Sequence, residues 1–160
     1  MPEHIQVRPK GMKKGELLNF QVWLCVLNRE NFEVLSEKKV YGIPENKRAL
    51  TQLEKVKIGD TLLFYVISPV KRIMGVSSAV STVFIDKRKS PWKDRLYPYR
   101  IKVSAVQKIN VRMADFVGKL EGVKGRVPMG ASLILLSRND LEIINSLSDA
   151  NYRQAIGEQQ

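Results

Sequence analysis

Nucleophiles, bases and metal ligands are scarce in this chain. Its one histidine, His4, stands in a stretch broken by Pro2, Pro9, Gly11 and Gly15, and its one cysteine, Cys25, stands between Leu24 and Val26 in an apolar run. A nucleophilic thiol needs a base beside it. No histidine within the apolar part of the chain supplies one, so Cys25 reads as a small core residue. No phosphate-cradling glycine loop, no G-x-S-x-G and no His/Cys cluster at metal-ligand spacing occurs. Asp60 follows Gly59 and reads as a turn residue rather than a general acid. The expectation is a protein without catalytic residues, metal or cofactor. Its chemistry is then binding.

Charge says what would be bound. The 160 residues include 27 Lys+Arg against 16 Asp+Glu, a formal net charge of +11. Such an excess draws polyanions and speeds encounter with them, and nucleic acid is the commonest of these. Between Asp86 and Lys102 the charge is concentrated: Lys87, Arg88, Lys89, Lys93, Arg95, Arg100 and Lys102 face only Asp86 and Asp94, a local +5. Trp92, Tyr97 and Tyr99 are interleaved with them. Cations for phosphates and rings for stacking are what single-stranded or flipped-base binding uses. Two other readings stay open on charge alone: a small-molecule or protein binder whose lysines serve solubility, and an enzyme acting on RNA or nucleotides. A steep salt dependence would separate the first reading from the second, and turnover would be needed for the third.

The elements that must position these residues follow from periodicity. Residues 1–19 carry few apolar groups and read as a mobile basic arm. Phe20 to Leu27 is apolar on both faces, a strand covered on both sides. Asn28 is placed to N-cap a helix over Glu30 to Ser36, and Lys39 to Ile43 is a short strand ended by Pro44. Lys47 to Val56 has helical spacing, and Thr61 to Ile67 is a strand after the Gly59-Asp60 turn. Ile73 to Ile85 reads as one long strand with a bulge among Gly75, Ser77 and Ser78. Asp86 to Leu96 is a polar loop. Tyr97 to Ile109 alternates as a half-exposed strand with Arg100, Lys102 and Ser104 outward. Arg112 to Leu120 reads as a short helix, followed by a loop with Gly122, Gly125 and Gly130. Ser132 to Leu136 is a last strand, and Ser137-Arg138-Asn139-Asp140 a capping box for a helix with Leu141, Ile144 and Leu147 inward. Residues 151–160 extend that helix or fray.

The whole reads as one α+β domain over 20–150, a closed mixed β-barrel of five to six strands with short helices between them. The longest apolar run, Leu62 to Ile67, is too short for a membrane helix, and Met1 to Lys14 has no apolar core for a secretory signal. A single cysteine fits a reducing cytoplasm.

Several segments in order resemble the EVE domain, a member of the PUA-like superfamily related to YTH and ASCH domains. They are Trp23-Leu24-Cys25-Val26-Leu27-Asn28-Arg29-Glu30-Asn31, Val40-Tyr41-Gly42-Ile43-Pro44, Lys57-Ile58-Gly59-Asp60 leading into Leu63-Phe64-Tyr65-Val66, Met74-Gly75-Val76, Tyr97-Pro98-Tyr99-Arg100-Ile101 and Leu136-Ser137. The chain looks most similar to the archaeal stand-alone type. The resemblance implies a PUA-like barrel whose pocket accepts a flipped base, either a methylated or hydroxymethylated cytosine or an N6-methylated adenine, in DNA or RNA. It places Trp23, Asn28, Tyr41, Gly42, Ile43, Tyr65, Trp92 and Tyr97 around the base, Gly42 allowing close backbone approach. Tyr41 stands where the family usually has tryptophan, a smaller ring with an added hydroxyl. The basic residues from Lys87 to Lys102 would face the phosphates. Nucleic acid is the expected partner, with no membrane involved, and the protein is a monomer or homodimer.

Overall fold

A computed structural model of the chain describes residues 20–128, 130 and 132–158. The expected N-terminal arm, with His4, lies outside them. The first strand, β1 (Val22–Leu27), is buried on both faces, as its unbroken apolar run demands. Asn28 ends it and caps α1 (Arg29–Lys38), its Oδ1 accepting the Asn31 N–H at 2.8 Å. Lys39 closes the helix in the left-handed region (φ 56°) and leads into β2 (Val40–Ile43). Asn46 repeats the device for α2 (Lys47–Leu53), accepting the Ala49 N–H at 3.0 Å. β3 (Thr61–Val66) then pairs parallel with β1, so α1, β2 and α2 together form the crossover that parallel pairing requires.

Among the described residues eight strands form where five or six were expected. The run read as one strand from Ile73 divides into β4 (Arg72–Ser78) and β5 (Phe84–Ile85). The run from Tyr97 divides into β6 (Tyr99–Lys102) and β7 (Gln107–Arg112). The reason is topological. With β8 (Ser132–Leu136) the strands make a five-stranded sheet in the order β7-β4-β3-β1-β8 and a three-stranded sheet in the order β2-β6-β5. Each long run therefore begins in one sheet and ends in the other. Both cross at one seam, where Ala79 bridges Val103, the Ser104 N–H donates to the Ser78 carbonyl at 2.9 Å and the Val80 N–H to the Lys102 carbonyl at 2.9 Å. The sheets are joined along this seam, making a barrel-like rather than a closed arrangement. The expected bulge falls at Met74, which the β3–β4 register skips.

The five-stranded sheet is the middle layer. Trp23, Cys25 and Leu27 of β1 face Tyr41, Ile43 and Ile101 of the small sheet and the buried sides of α1 and α2. Val22, Leu24 and Val26 face the other way, toward α3 (Met113–Phe116) and α4 (Arg138–Glu158). The capping box forms: the Asp140 N–H donates to Ser137 Oγ at 3.0 Å, and the Ser137 N–H to Asp140 Oδ2 at 3.1 Å. The same carboxylate accepts the Glu121 and Gly122 N–H groups, which ties the glycine-rich loop to the helix start. No described helix is long and apolar enough to cross a membrane.

Candidate functional site

A cavity of about 290 Å³ opens where β1 and β3 end, at the lower limit of the usual range for small-ligand pockets. The end of β1 and Ile67 form one side, Asn28 and Asn31 of the first helical turn another, and Tyr41, Gly42 and Pro44 a third. Asn46, Arg95 and Tyr97 complete the polar part of the lining. Of the residues expected around a base, Asn28, Tyr41, Gly42 and Tyr97 are brought together here. Arg95, expected on phosphate, is brought to the same rim.

Four expectations need correction. Trp23 is 1% exposed and lies four strand positions before Leu27, roughly 13 Å along β1. Its indole N–H donates to Asp60 Oδ2 at 3.0 Å, so it is a core anchor at the far end and not a pocket floor. Ile43 is fully buried between the sheets and does not reach the cavity. Tyr65 alternates onto the opposite face of β3, edge-on to Phe116 with ring centroids 6.3 Å apart, and its hydroxyl meets Met113 Sδ at 3.3 Å. Trp92, which the resemblance places around the base, is 4% exposed. It stands behind the cavity wall, its ring 5.0 Å from that of Tyr97.

Gly42 has a reason, and the reason is Trp92. A Cβ at this position would lie 2.7 Å from the Trp92 Cη2 atom and 2.9 Å from Tyr97 Cβ. The missing side chain admits the tryptophan ring rather than a ligand edge.

Arg100 is the fifth correction. Its outward side on an alternating strand was to face phosphate, yet it is 4% exposed. The guanidinium pairs with Asp86 Oδ2 at 3.0 Å, donates from Nε to the Tyr97 carbonyl at 2.8 Å and from Nη2 to the Arg88 carbonyl, and lies 4.7 Å from the Trp92 ring. Every face of it is used inside the loop. Burial pulls its pKa down, opposed by Asp86. Lys87, Arg88, Lys89, Lys93, Arg95 and Lys102 remain exposed as expected. Arg88 is bidentate on Asp86 at 2.7 and 3.1 Å.

The Arg88 side chain and backbone hold the Asp86 carboxyl well below the usual carboxylate range, with Arg100 adding to them. A depressed carboxyl contributes its stability above the ordinary pKa of about 3.9 and loses it as pH falls through the lower folded value. The loop clamp is therefore expected to hold unchanged from pH 8 to about pH 5. Trp92 fluorescence followed across that range should stay flat; a transition near pH 5–6 would contradict it.

Tyr97 sits in a fixed chain of hydrogen bonds. Its hydroxyl donates to Asp94 Oδ2 at 2.6 Å and accepts from Asn31 Nδ2 at 2.8 Å. Burial pushes the Tyr97 hydroxyl above its ordinary value, Asn31 opposing and Asp94 adding. Burial likewise raises the Cys25 thiol and the Tyr41 hydroxyl, so both stay protonated at neutral pH. Asn31 and Asn46 were missed from the sequence as site residues. The cap signal at Asn46, three residues before Ala49, was there to be read.

Two facing sheets plugged by helices, with a cleft where the central strands end, define a barrel-like α+β fold of the kind found in YTH domains. The chain belongs to the EVE domain family, whose profile matches residues 21–144. A UPF0310 protein of Pyrococcus abyssi is 30% identical over 140 residues, spanning 78% of this chain and 97% of the relative. A UPF0310 protein of Pyrococcus horikoshii is 26% identical over 144 residues, with 78% and 97% covered. Among solved structures, a Pseudomonas putida protein is similar with a TM-score of 0.62 at 16% identity, over 79% of this chain and 99% of that one. The YTH domain-containing protein Mmi1, in complex with RNA, has a TM-score of 0.60 at 8% identity over 86% of each chain.

Proposed function

We propose that this protein is a nucleic-acid-binding module that takes one modified base, flipped out of DNA or RNA, into the cavity at the end of β1 and β3. The observation that carries this reading is the sharing of one segment by the cavity and the basic surface. Arg95 and Tyr97 line the pocket, and the exposed Lys87, Lys89 and Lys93 precede them on the same loop. A polyanion held by the loop would thus bring its bases to the opening. Trp92 and Arg100 fix the loop against the barrel from within, so little is left to be ordered on binding. The RNA bound by the Mmi1 YTH domain, on a similar fold, supports the partner class. Methylated or hydroxymethylated cytosine and N6-methyladenine are the bases considered, and no reaction is assigned to the site.

The test is fluorescence anisotropy with oligonucleotides carrying each modification, across a salt series. Phosphate contacts make the logarithm of affinity fall linearly with that of salt. Replacing Lys87, Lys89 and Lys93 together by glutamine is expected to flatten the slope by roughly one unit per lost contact. Arg88→Gln is expected to do less, because its guanidinium is already spent on Asp86. An unchanged slope and affinity in the triple variant would place the polyanion elsewhere. Binding of a small molecule with no oligonucleotide binding at all would favour the alternative reading of a small-ligand module.

A further inference from the structure

A second cavity, of about 390 Å³, lies between α1 and the β3–β4 hairpin, within the usual range for small-ligand sites. Its floor is apolar, made by Phe32 of α1, Val66 at the end of β3, Val70 of the following turn and Met74 of β4. Two departures from regular strand geometry build that floor. In an even strand Ile73 and Gly75 would face the same side. The β3–β4 register instead pairs Tyr65 with Ile73 and Phe64 with Gly75, passing over Met74, so the two turn to opposite sides. Ile73 packs with Tyr65 and Val111 on the α3 side, while Met74 packs with the cluster of Phe32 and Val66 on the α1 side. Gly75 beside it has no side chain, and a Cβ there would lie 3.0 Å from Phe32 Cε1 and 2.5 Å from Val106 Cγ1. The bulge turns a thioether toward α1, and the glycine lets the Phe32 ring down onto the sheet.

The two cavities are neighbours. Asn28 lines the first and Arg29 the second; Ile67 lines the first and Val66 the second. They lie on either side of the paired ends of β1 and β3, where the Ile67 N–H donates to the Leu27 carbonyl at 3.0 Å. The rim of the second is cationic. Arg29 stands 3.7 Å from Glu33, and Arg72 donates to the neutral Asn110 Oδ1 at 2.8 Å, so one positive charge is left over.

We infer that this second cavity seats the base next to the flipped one in the same strand, its ring on the floor of Phe32 and Met74 and its phosphate toward Arg29 and Arg72. An apolar floor under a cationic rim suits a flat ring that carries an anion. The strand held at the first cavity brings such a ring to the adjoining opening. Contact by ring face, with aromatic and thioether partners, tolerates any of the bases. This inference rests on the base-pocket reading above and extends it from one base to two.

Nine-residue single strands test it by anisotropy, DNA with a central 5-methylcytosine and RNA with a central N6-methyladenosine. An abasic residue beside the centre, on the 5′ or the 3′ side, is expected to weaken wild-type binding at least about fivefold, the worth of one base–aromatic stack. On the other side it should cost less than about twofold. Val70→Phe puts a ring into the cavity, and Met74→Gln, close in volume, makes its floor polar. Each is expected to bind the complete strand at least about threefold more weakly, and to lose little more when the neighbour is abasic. A variant that is merely less stable would weaken both strands alike, which separates lost stacking from lost folding. If an abasic neighbour costs less than about twofold on both sides while an abasic centre still weakens binding, the second site is overturned and the first stands. A neighbour effect that survives at full size in both variants overturns it as well. If in both series an abasic centre binds as well as the modified base, the base-pocket reading itself fails and this inference with it.

Discussion

Trp92→Ala is expected to lower the melting temperature by about 10 °C and to remove with it the base binding proposed above. Deleting a buried tryptophan costs about 3–5 kcal/mol, and each kcal/mol is worth about 2–4 °C for a chain of this length. Three groups lose their support at once. Arg100 stays buried but loses the ring 4.7 Å from its guanidinium. Tyr97 loses its neighbour at 5.0 Å. The space above Gly42, which admits no Cβ, becomes a void. Since Tyr97 and Arg95 belong to the cavity lining, the wall loosens together with the loop. Trp92→Phe fills part of the volume and should cost less than half as much. Calorimetric melting alongside anisotropy is the measurement. A fall of less than about 2 °C would mean that the loop is held without the ring.

Asp60→Ala should be about as damaging, through hydrogen bonds rather than volume. The carboxylate is fully buried and accepts three N–H groups: Gln21 at 3.0 Å, Lys57 at 2.9 Å and the Trp23 indole at 3.0 Å. Removing it strands the buried Trp23 indole N–H, at about 1–3 kcal/mol, and takes the acceptor from two part-buried backbone N–H groups, each worth about 0.5–1.5 kcal/mol. A total of about 3–5 kcal/mol is expected once water partly enters. Asp60→Asn should cost less, since one amide oxygen can still accept, but its NH2 then faces a donor. Trp23→Phe removes one of the three donors, so in the Asp60→Ala background its cost should shrink by roughly 0.5–3 kcal/mol. Strict additivity in that double-mutant cycle would show that the Trp23–Asp60 bond contributes nothing.

Trp92 and Arg100 both have roles that differ from their sequence reading, and the difference has one cause. Trp92 stands in a polar loop between Pro91 and Lys93, which are loop and surface types. Arg100 was read from strand alternation. Each is buried by a partner far along the chain: Gly42 opens the space for the ring, and Asp86 with the Arg88 carbonyl neutralises and satisfies the guanidinium. A local pattern reports the average environment of a residue type. It carries no information about a hole left fifty residues earlier.

What the chain alone determined is the set of features whose physics is local. Apolar runs on both faces specify covered strands, as for Val22–Leu27 and Thr61–Val66. Asn28 and the Ser137–Asp140 pair specify helix starts through hydrogen bonds spanning three residues. The exposed lysines at 87, 89 and 93 follow from charge that is costly to bury. The family resemblance was legible for the same reason, as short motifs in order. Tertiary structure decided the rest. It broke two long strands at a single seam, because each had to serve two sheets. It sent Trp23 and Tyr65 to different places, since a strand residue's face depends on what packs against each side. It gathered Asn28, Asn31, Tyr41, Asn46, Arg95 and Tyr97 around one opening, from segments that touch only because β1 and β3 end side by side.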